Sequence, residues 1–320
     1  MVPAPVFVPA ARTVDVEGPV NFVEFDGPKD GPTLVCVHGL GGSHLNWMAI
    51  APSLAAHARV LALDLVGHGN TPIGSRSADI DGHRRMLGGF LRTVADGPVI
   101  LVGNSMGGLV ATLQAMEEPD SVSGLILIDP ALPSSRWGWT HPRSIAGFLL
   151  GATPGLGESF LNQRRKYLSP ERAAHRVLDV CCVDRSRIPP DLVAAQIGFL
   201  QGADRVALDG AYLSSARSLS QYFLRPRAFA QRLRSVEQPT LLLHGAADRL
   251  VPLAASRQVS WAKPAWTLEV AADVGHIPMM EAPVWTLERI TGWLDSGGFR
   301  NQLPVATGAS AIGRPDQPAL

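Results

Sequence analysis

Ser105 lies in the pentapeptide GNSMG, residues 103–107, which fits the pattern G-x-S-x-G. A short apolar run precedes this pentapeptide, and a helix-like segment follows it. A serine on a tight turn between a strand and a helix takes a strained backbone, and neighbouring side chains would collide there. We therefore predict that Gly103 and Gly107 form an elbow that holds Ser105 above a sheet. The helix N-terminus at that position favours developing negative charge.

A serine hydroxyl is a poor nucleophile, so it needs a base, and the base needs an acid that orients it. Among the nine histidines, His276 is the best candidate base, because its loop VGHIP follows an apolar run. Asp248, in HGAADRLVP, follows an earlier run and is the candidate acid. Asp129 ends another apolar run and is the rival acid. The order Ser105, Asp248, His276 predicts a catalytic triad.

Acyl transfer through a tetrahedral intermediate also needs backbone N–H donors. We expect one from Met106, directly after the nucleophile, and a second from Leu40 in the glycine-rich loop HGLGG, residues 38–42. His38, in the same loop, is interpreted as a brace and not as a catalytic group. Neither HExxH nor another metal-ligand spacing occurs, so we expect no metal and no cofactor.

Strand-like and helix-like segments alternate along the chain, and the candidate residues lie where these segments end. Short apolar runs lie at 33–37, 60–63, 99–102, 125–128, 240–243 and 267–270, with helical-length segments at 79–95 and 108–116. Near-continuous apolar runs suit strands buried on both faces of a parallel sheet. The fold class predicted is α/β, a doubly wound and mostly parallel sheet.

The alternation stops between two late strands. Residues 133–238 contain helical candidates at 170–183, 191–201 and 211–223, which predicts an all-helical cap over the carboxyl ends of the strands. The domains expected are a first core part (1–132), the cap (133–238), a second core part (239–296) and a disordered tail (297–320). The cap carries 15 Lys and Arg against 8 Asp and Glu, so it is basic, and whether it binds anionic groups stays open.

The pocket for an acyl group is expected under the cap. Its possible wall residues are Leu45 and Trp47, after the glycine-rich loop, and Phe148, Phe160, Phe199, Tyr222 and Phe223, from the cap.

Composition excludes several classes of protein. Lys plus Arg and Asp plus Glu both number 28, so no overall basic field exists to hold nucleic acid. The sequence contains no run of 18 apolar residues, so we expect no helix that spans a membrane. The N-terminus lacks the basic region of a signal peptide. Three cysteines, an odd number, form no disulfide framework. We therefore expect no integral membrane contact and a cytoplasmic location, and we leave a homo-oligomer open.

Five segments together resemble the α/β-hydrolase superfamily with a helical cap, in its esterase-like and lipase-like members. They are HGLGG (38–42), DLVGHG (64–69), GNSMGG (103–108), HGAADRLVP (244–252) and VGHIPMMEAP (274–283). The resemblance spans residues 20–295 and implies the α/β-hydrolase fold. It implies a serine ester hydrolase that acts on a small-molecule ester with an apolar acyl part. Family members that are epoxide hydrolases or dehalogenases have an aspartate where this chain has Ser105, which argues against those activities.

Two alternatives are kept. Asn104 is similar to the residue before the nucleophile in meta-cleavage-product hydrolases, which cut carbon–carbon bonds. Those enzymes usually follow the histidine with a Trp-containing segment, whereas this chain has Ile277-Pro278-Met279-Met280. The lesser alternative is a catalytically silent binding protein on the same fold, since fold does not determine function.

Overall fold

The computed structural model describes residues 8–133, 153–297 and 299. Its strands are β1 (Arg12–Asp15), β2 (Pro19–Phe25), β3 (Thr33–Val37), β4 (Arg59–Leu63), β5 (Val99–Asn104), β6 (Val122–Ile128), β7 (Thr240–Gly245) and β8 (Thr267–Ala271). They form one sheet in the order β1-β2-β4-β3-β5-β6-β7-β8. β1 pairs antiparallel with β2, and β2 with β4, whereas every pair from β4 to β8 is parallel. The predicted α/β class with a mostly parallel sheet is confirmed.

Helices connect the parallel strands. They are α1 (Ala51–Leu54), α2 (Ile80–Val94), α3 (Met106–Glu117), α4 (Leu156–Tyr167), α5 (Pro170–Cys181), α6 (Pro190–Gly202), α7 (Arg205–Phe223), α8 (Pro226–Leu233), α9 (Leu253–Ala262), α10 (Pro278–Glu281) and α11 (Pro283–Asp295). The described residues also contain 3₁₀ turns at His44–Trp47, Pro119–Ser121 and Arg185–Arg187. α2 begins where Asp79 accepts a hydrogen bond from the Gly82 N–H at 2.6 Å, as an N-cap residue does.

The sheet separates two apolar clusters, which is why its strands read as continuous apolar runs. In β3, Val35 and Val37 face one cluster, while Leu34 and Cys36 face the other. The first cluster includes residues of α2 and α3, and the second includes residues of α1 and α11. Helices therefore cover both faces, as in a doubly wound sheet.

Strands β1 and β2 are the part of the sheet that the apolar runs did not predict. β1 is largely exposed and lies at the edge, so it carries no apolar run. β2 begins at Pro19, and a proline argues against a strand because it has no N–H to donate to the sheet.

Helices α4 to α8 all lie between β6 and β7 in the chain. They contact loops that follow the parallel strands. A methyl group added at Gly67, after β4, would lie 2.5 Å from Cβ of Ala211 in α7. One added at Gly41, after β3, would lie 3.3 Å from the ring of Tyr212. The division of the chain into core and cap at residues 133 and 238 stays a prediction, and the tail from residue 300 lies outside the described residues.

Candidate active site

Ser105 occupies the turn between β5 and α3 with φ 54° and ψ −118°. A positive φ is uncommon for a side-chain-bearing residue and marks local strain. Two glycines permit this turn. A methyl group added at Gly103 would lie 2.6 Å from the carbonyl oxygen of Gly107, and one added at Gly107 would lie 2.1 Å from that of Val37. No other residue fits at these two positions without moving the backbone.

Hydrogen bonds hold the strained turn in place. The Ser105 N–H donates to the carbonyl of Ile128 in β6 at 3.0 Å, and the Ser105 carbonyl accepts from Ala131 N–H at 2.9 Å. Ser105 is 9% exposed, so its side chain lies at the edge of the interior beside the first turn of α3. The partial positive charge of that helix end favours an anion at this position.

The side chains of His276 and Asp248 are joined by a hydrogen bond. The Nδ1 atom of His276 lies 2.7 Å from Oδ2 of Asp248, and both residues are buried. An ionised carboxylate can only accept, so Nδ1 carries the proton and leaves the Nε2 lone pair free to act as a base. Oδ1 of Asp248 accepts from the N–H groups of Leu250 and Val251 at 2.7 and 3.1 Å. Burial raises the pKa of Asp248, but His276 and these donors more than offset it, so that pKa is lowered.

Asn104 joins the turn at Ser105 (the serine turn) to the loop of residues 272–277 that carries His276 (the histidine loop). Its Nδ2 group donates to the carbonyl of Ile128 and to the carbonyl of His276, both at 3.1 Å. The side chain is 1% exposed, so neither bond is shared with solvent. Sequence reasoning used Asn104 only as a point of resemblance and missed this contact, for which no spacing rule exists.

Glu281 is a second positioning side chain that the sequence did not identify. It is 2% exposed, and Oε2 accepts from Gly275 N–H at 2.7 Å. Oε1 accepts from the N–H groups of Val183 and Asp184, just after α5, at 2.8 and 2.9 Å. This carboxylate therefore ties the histidine loop to the helices between β6 and β7. The signal in the sequence is an acidic residue within an otherwise apolar segment, PMMEAP.

The glycine-rich loop lies against the serine turn. A methyl group added at Gly39 would lie 3.1 Å from Cβ of Ser105. His38 braces this loop: Nδ1 donates to the Gly39 carbonyl at 2.7 Å, and Nε2 accepts from Leu65 N–H at 3.0 Å. Burial is the main cause that lowers the pKa of His38 to about 4, so the ring is neutral. Within the described chain, neither Leu40 N–H nor Met106 N–H donates to another group of the protein.

Asp129, the rival acid, lies beside Asp248 and not apart from it. One ligand-type atom each of Asp129, Asp248 and His276 falls within 4.8 Å of the others. This cluster has the residue types of a metal site, but His276 and Asp248 already bind each other through the 2.7 Å hydrogen bond. We therefore assign no metal to it.

The residues considered for the pocket wall lie in different surroundings. Leu45, Trp47 and Phe199 belong to or pack on the second apolar cluster, and Trp47 is fully buried. Phe160 is 44% exposed on α4. Phe148 lies outside the described residues.

Tyr222 and Phe223 pack against the first apolar cluster. Tyr222 also lines a cavity of about 250 Å³ with Asp81, Arg84, Arg85, Leu113, Glu117 and Arg232, which contains no member of the predicted triad. The assignment of the pocket wall stays a prediction.

The alpha/beta hydrolase fold family matches residues 32–283 of the chain. A pimeloyl-(acyl-carrier protein) methyl ester esterase of Aromatoleum aromaticum is 30% identical over 79% of this chain and 94% of its own length. A 2-hydroxy-6-oxo-2,4-heptadienoate hydrolase of Pseudomonas putida is 28% identical over 78% of this chain and 84% of its own length.

Two further likenesses extend over most of the chain. The dihydrolipoyllysine-residue acetyltransferase component of the acetoin cleaving system of Pseudomonas putida is 29% identical over 86% of this chain, which spans 66% of that relative's length. Among solved structures, a membrane phospholipase A, described as a bacterial virulence factor, superposes with a TM-score of 0.66 at 27% identity. That superposition covers 91% of this chain and 87% of the other. In the described residues, each helix is too short or too polar to cross a bilayer.

Proposed function

This chain belongs to the alpha/beta hydrolase family, and on that premise we propose that it is a serine hydrolase that cleaves carboxylic esters through an acyl-enzyme. The observation that carries the proposal is the bond between His276 Nδ1 and Asp248 Oδ2 at 2.7 Å, in a chain whose Ser105 stands on a strained turn. A bond of this kind orients an imidazole so that its second nitrogen can take a proton.

In the proposed acylation step, Ser105 Oγ attacks the ester carbonyl while Nε2 of His276 takes the hydroxyl proton. The imidazolium that forms is stabilised by the Asp248 carboxylate, which stays ionised. His276 then gives the proton to the leaving alcohol. In deacylation the same ring takes a proton from water as its oxygen attacks the acyl-enzyme, and then gives that proton to Ser105 Oγ as the bond to the acyl group breaks.

The oxyanion of each tetrahedral intermediate is proposed to accept hydrogen bonds from Met106 N–H and Leu40 N–H. Two observations support this choice: neither amide has a partner within the described chain, and the loop that carries Leu40 packs on Ser105. Removing one such donor costs about 10²–10³ in rate. His38 contributes by keeping the loop fixed.

The proposed substrate is a small-molecule ester with an apolar acyl part. Two observations support this substrate class. Apolar residues of α5 and α6 belong to or pack on the second apolar cluster, and the chain is similar to a methyl ester esterase and to a membrane phospholipase A. A cytoplasmic location and a possible homo-oligomer are retained as part of the proposal.

Carbon–carbon bond hydrolysis of a dienoic diketo acid is the second candidate. Asn104 before the nucleophile favours it, as does the 28% identity with a hydrolase that is named for a hydroxy-oxo-heptadienoate. The segment after His276 lacks a tryptophan in its first four positions, which favours ester hydrolysis over carbon–carbon bond hydrolysis.

The test is turnover of p-nitrophenyl esters from acetyl to palmitoyl, alongside a dienoic diketo acid, by the wild-type chain. Ser105→Ala is the inactive variant, and Ser159→Ala, an exposed serine of α4, is the matched control. Ester turnover that is lost only in Ser105→Ala supports the proposal. Turnover of the diketo acid alone would move the assignment to carbon–carbon hydrolysis.

A further inference from the structure

Asp129 is a fully buried carboxyl group, directly after β6, that the proposed mechanism does not use. Its backbone has φ 44°, in the left-handed region that aspartate tolerates better than most residues. Oδ1 accepts from Gly245 N–H at 2.9 Å. Oδ2 is buried and has no hydrogen-bond partner. An ionised carboxylate oxygen that no donor reaches would lose its hydration without compensation, which is costly.

The group that faces Asp129 is another carboxyl group, that of Asp248, within 4.8 Å. Two carboxylates at this separation in a buried site repel each other strongly, because little water screens them. Such pairs take up one proton and titrate together. A proton on Asp129 Oδ2 would turn this unpartnered oxygen into a hydrogen-bond donor, with the Asp248 carboxylate beside it as the acceptor.

The hydrogen-bond partners decide which acid holds the proton. Asp248 accepts three N–H groups, from Leu250, Val251 and His276. Asp129 accepts one, from Gly245. Burial first, and then the charge of Asp248, raise the pKa of Asp129 well above its usual range, whereas His276 holds the pKa of Asp248 down despite burial. The proton therefore belongs on Asp129.

Two further titratable groups act on Asp129, from β7 and from α10. His244 Nε2 lies 3.4 Å from Oδ1, but burial lowers the pKa of His244, and its Nε2 proton is directed to the Val251 carbonyl at 3.1 Å. Glu281 adds negative charge and so also favours the protonated form of Asp129. Neither group supplies a cation that would stabilise an ionised Asp129.

We propose that Asp129 is a positioning residue that carries a proton at neutral pH and donates its O–H to the Asp248 carboxylate, so that the two acids present a single negative charge to His276. The role rests on the proposed function, since it concerns the same triad. With one charge, Asp248 still fixes the ring of His276. A second charge would hold the imidazolium proton too firmly for its transfer to the leaving group.

The first test is the infrared spectrum of the wild-type chain at neutral pH. The proposal predicts the carbonyl stretch of a protonated carboxyl group, which disappears in Asp129→Asn and persists in Asp295→Asn, a control whose side chain is 67% exposed. Wild-type protein without that band would overturn the proposal, whether or not the variant folds.

The second test follows the ring nitrogens of His276 by NMR with labelled histidine, assigned from their loss in His276→Gln. If Asp129 is neutral, Asp129→Asn replaces one neutral donor by another and leaves the midpoint pH of the His276 titration within about 0.3 of wild type. If Asp129 were ionised, the same variant would remove a negative charge and lower that midpoint by about one pH unit or more, which would contradict the proposal. Neither readout needs a substrate, so failure of ester hydrolysis would not be mistaken for failure of this inference.

Discussion

The side-chain amide of Asn104 donates a hydrogen bond to the backbone carbonyl of His276 at 3.1 Å. This bond joins the residue before the candidate nucleophile to the candidate base, across 172 positions of the chain. The two segments otherwise arrive from different strands, β5 and β8. The distance between nucleophile and base therefore depends on a buried polar contact as well as on the sheet.

Asn104→Ala should lower both stability and activity. The variant leaves the buried carbonyl of His276 without its donor and removes one of the two hydrogen bonds that the Ile128 carbonyl accepts, which costs about 1–3 kcal/mol. We expect kcat for the preferred ester to fall about tenfold, because small misplacements of a catalytic base are expensive. Urea unfolding and steady-state kinetics measure the two effects. Asn162→Ala, an exposed asparagine of α4, should change neither; equal effects in both variants would refute the prediction.

Glu281→Gln should loosen the histidine loop. The carboxylate accepts three backbone N–H groups, and an amide can accept with only one of its two ends, so at least one donor is left facing another donor. We expect a loss of about 1.5–3 kcal/mol and a fall in kcat larger than the change in KM. The matched control is Glu288→Gln, whose side chain is 61% exposed on α11. Wild-type kcat in Glu281→Gln would show that this clamp does not position His276.

Gly107→Ala should abolish folding or activity. The added methyl group would lie 2.1 Å from the Val37 carbonyl oxygen and 2.5 Å from that of His38, and both are backbone atoms that cannot rotate away as a side chain could. Gly210→Ala, in helix α7, meets no atom within 4 Å and should be neutral or stabilising by up to about 1 kcal/mol. Soluble expression and thermal unfolding distinguish the pair. An active, stable Gly107→Ala would contradict the elbow geometry.

The contribution of His38 to the free energy of unfolding should fall as pH drops from neutral, because His38 is buried as the neutral ring. Asp129, which keeps its proton in the folded chain, acts in the opposite direction over the same range, so the effect of His38 is read as a difference between wild type and variant. The unfolded chain protonates His38 below its ordinary pKa of 6.5, whereas burial keeps the folded ring neutral until about pH 4. The contribution of His38 to the free energy of unfolding is therefore fully present above pH 6.5 and is lost as the pH falls toward 4. The loss over this range amounts to about 3 kcal/mol.

The measurement is the free energy of unfolding in urea at a series of pH values between those limits. His38→Asn should lose less free energy of unfolding on acidification than wild type, while Ser159→Ala, an exposed serine of α4, should behave as wild type. An unchanged slope in His38→Asn would mean that other groups cause the acid sensitivity.

Strands β3 to β7 were predictable because each is buried on both faces and reads as an apolar run, and β8, an edge strand that is partly exposed, was predicted from the run 267–270. The run 33–37, for example, is strand β3 over the same residues. Strand β1 was not predicted, since an exposed edge leaves no such run, and β2, which is largely buried, was not predicted because Asn21 and Glu24 interrupt its apolar residues. The turn at Ser105 was predictable for a related reason: two glycines at fixed spacing are a local requirement of the backbone.

The contacts of Asn104, Glu281 and Asp129 were not predictable in the same way. Each bridges segments that are far apart in sequence, and the partners are mostly backbone groups, which carry no residue-type signal. A buried acid such as Glu281 looks like any acid of a helix until the packing around it is known. Asp129 was recognised as a possible acid, but its position beside Asp248 follows only from the pairing of β6 with β7.

The proposed function makes Ser105 a nucleophile activated by His276 and Asp248. Its most direct test is covalent labelling by a fluorophosphonate, read as intact mass and then as the modified peptide. Wild-type protein should take one label per chain, located on Ser105, whereas Ser105→Ala should take none and His276→Gln should be labelled slowly. Labelling that persists in Ser105→Ala, or a wild-type chain that takes no label, would contradict it.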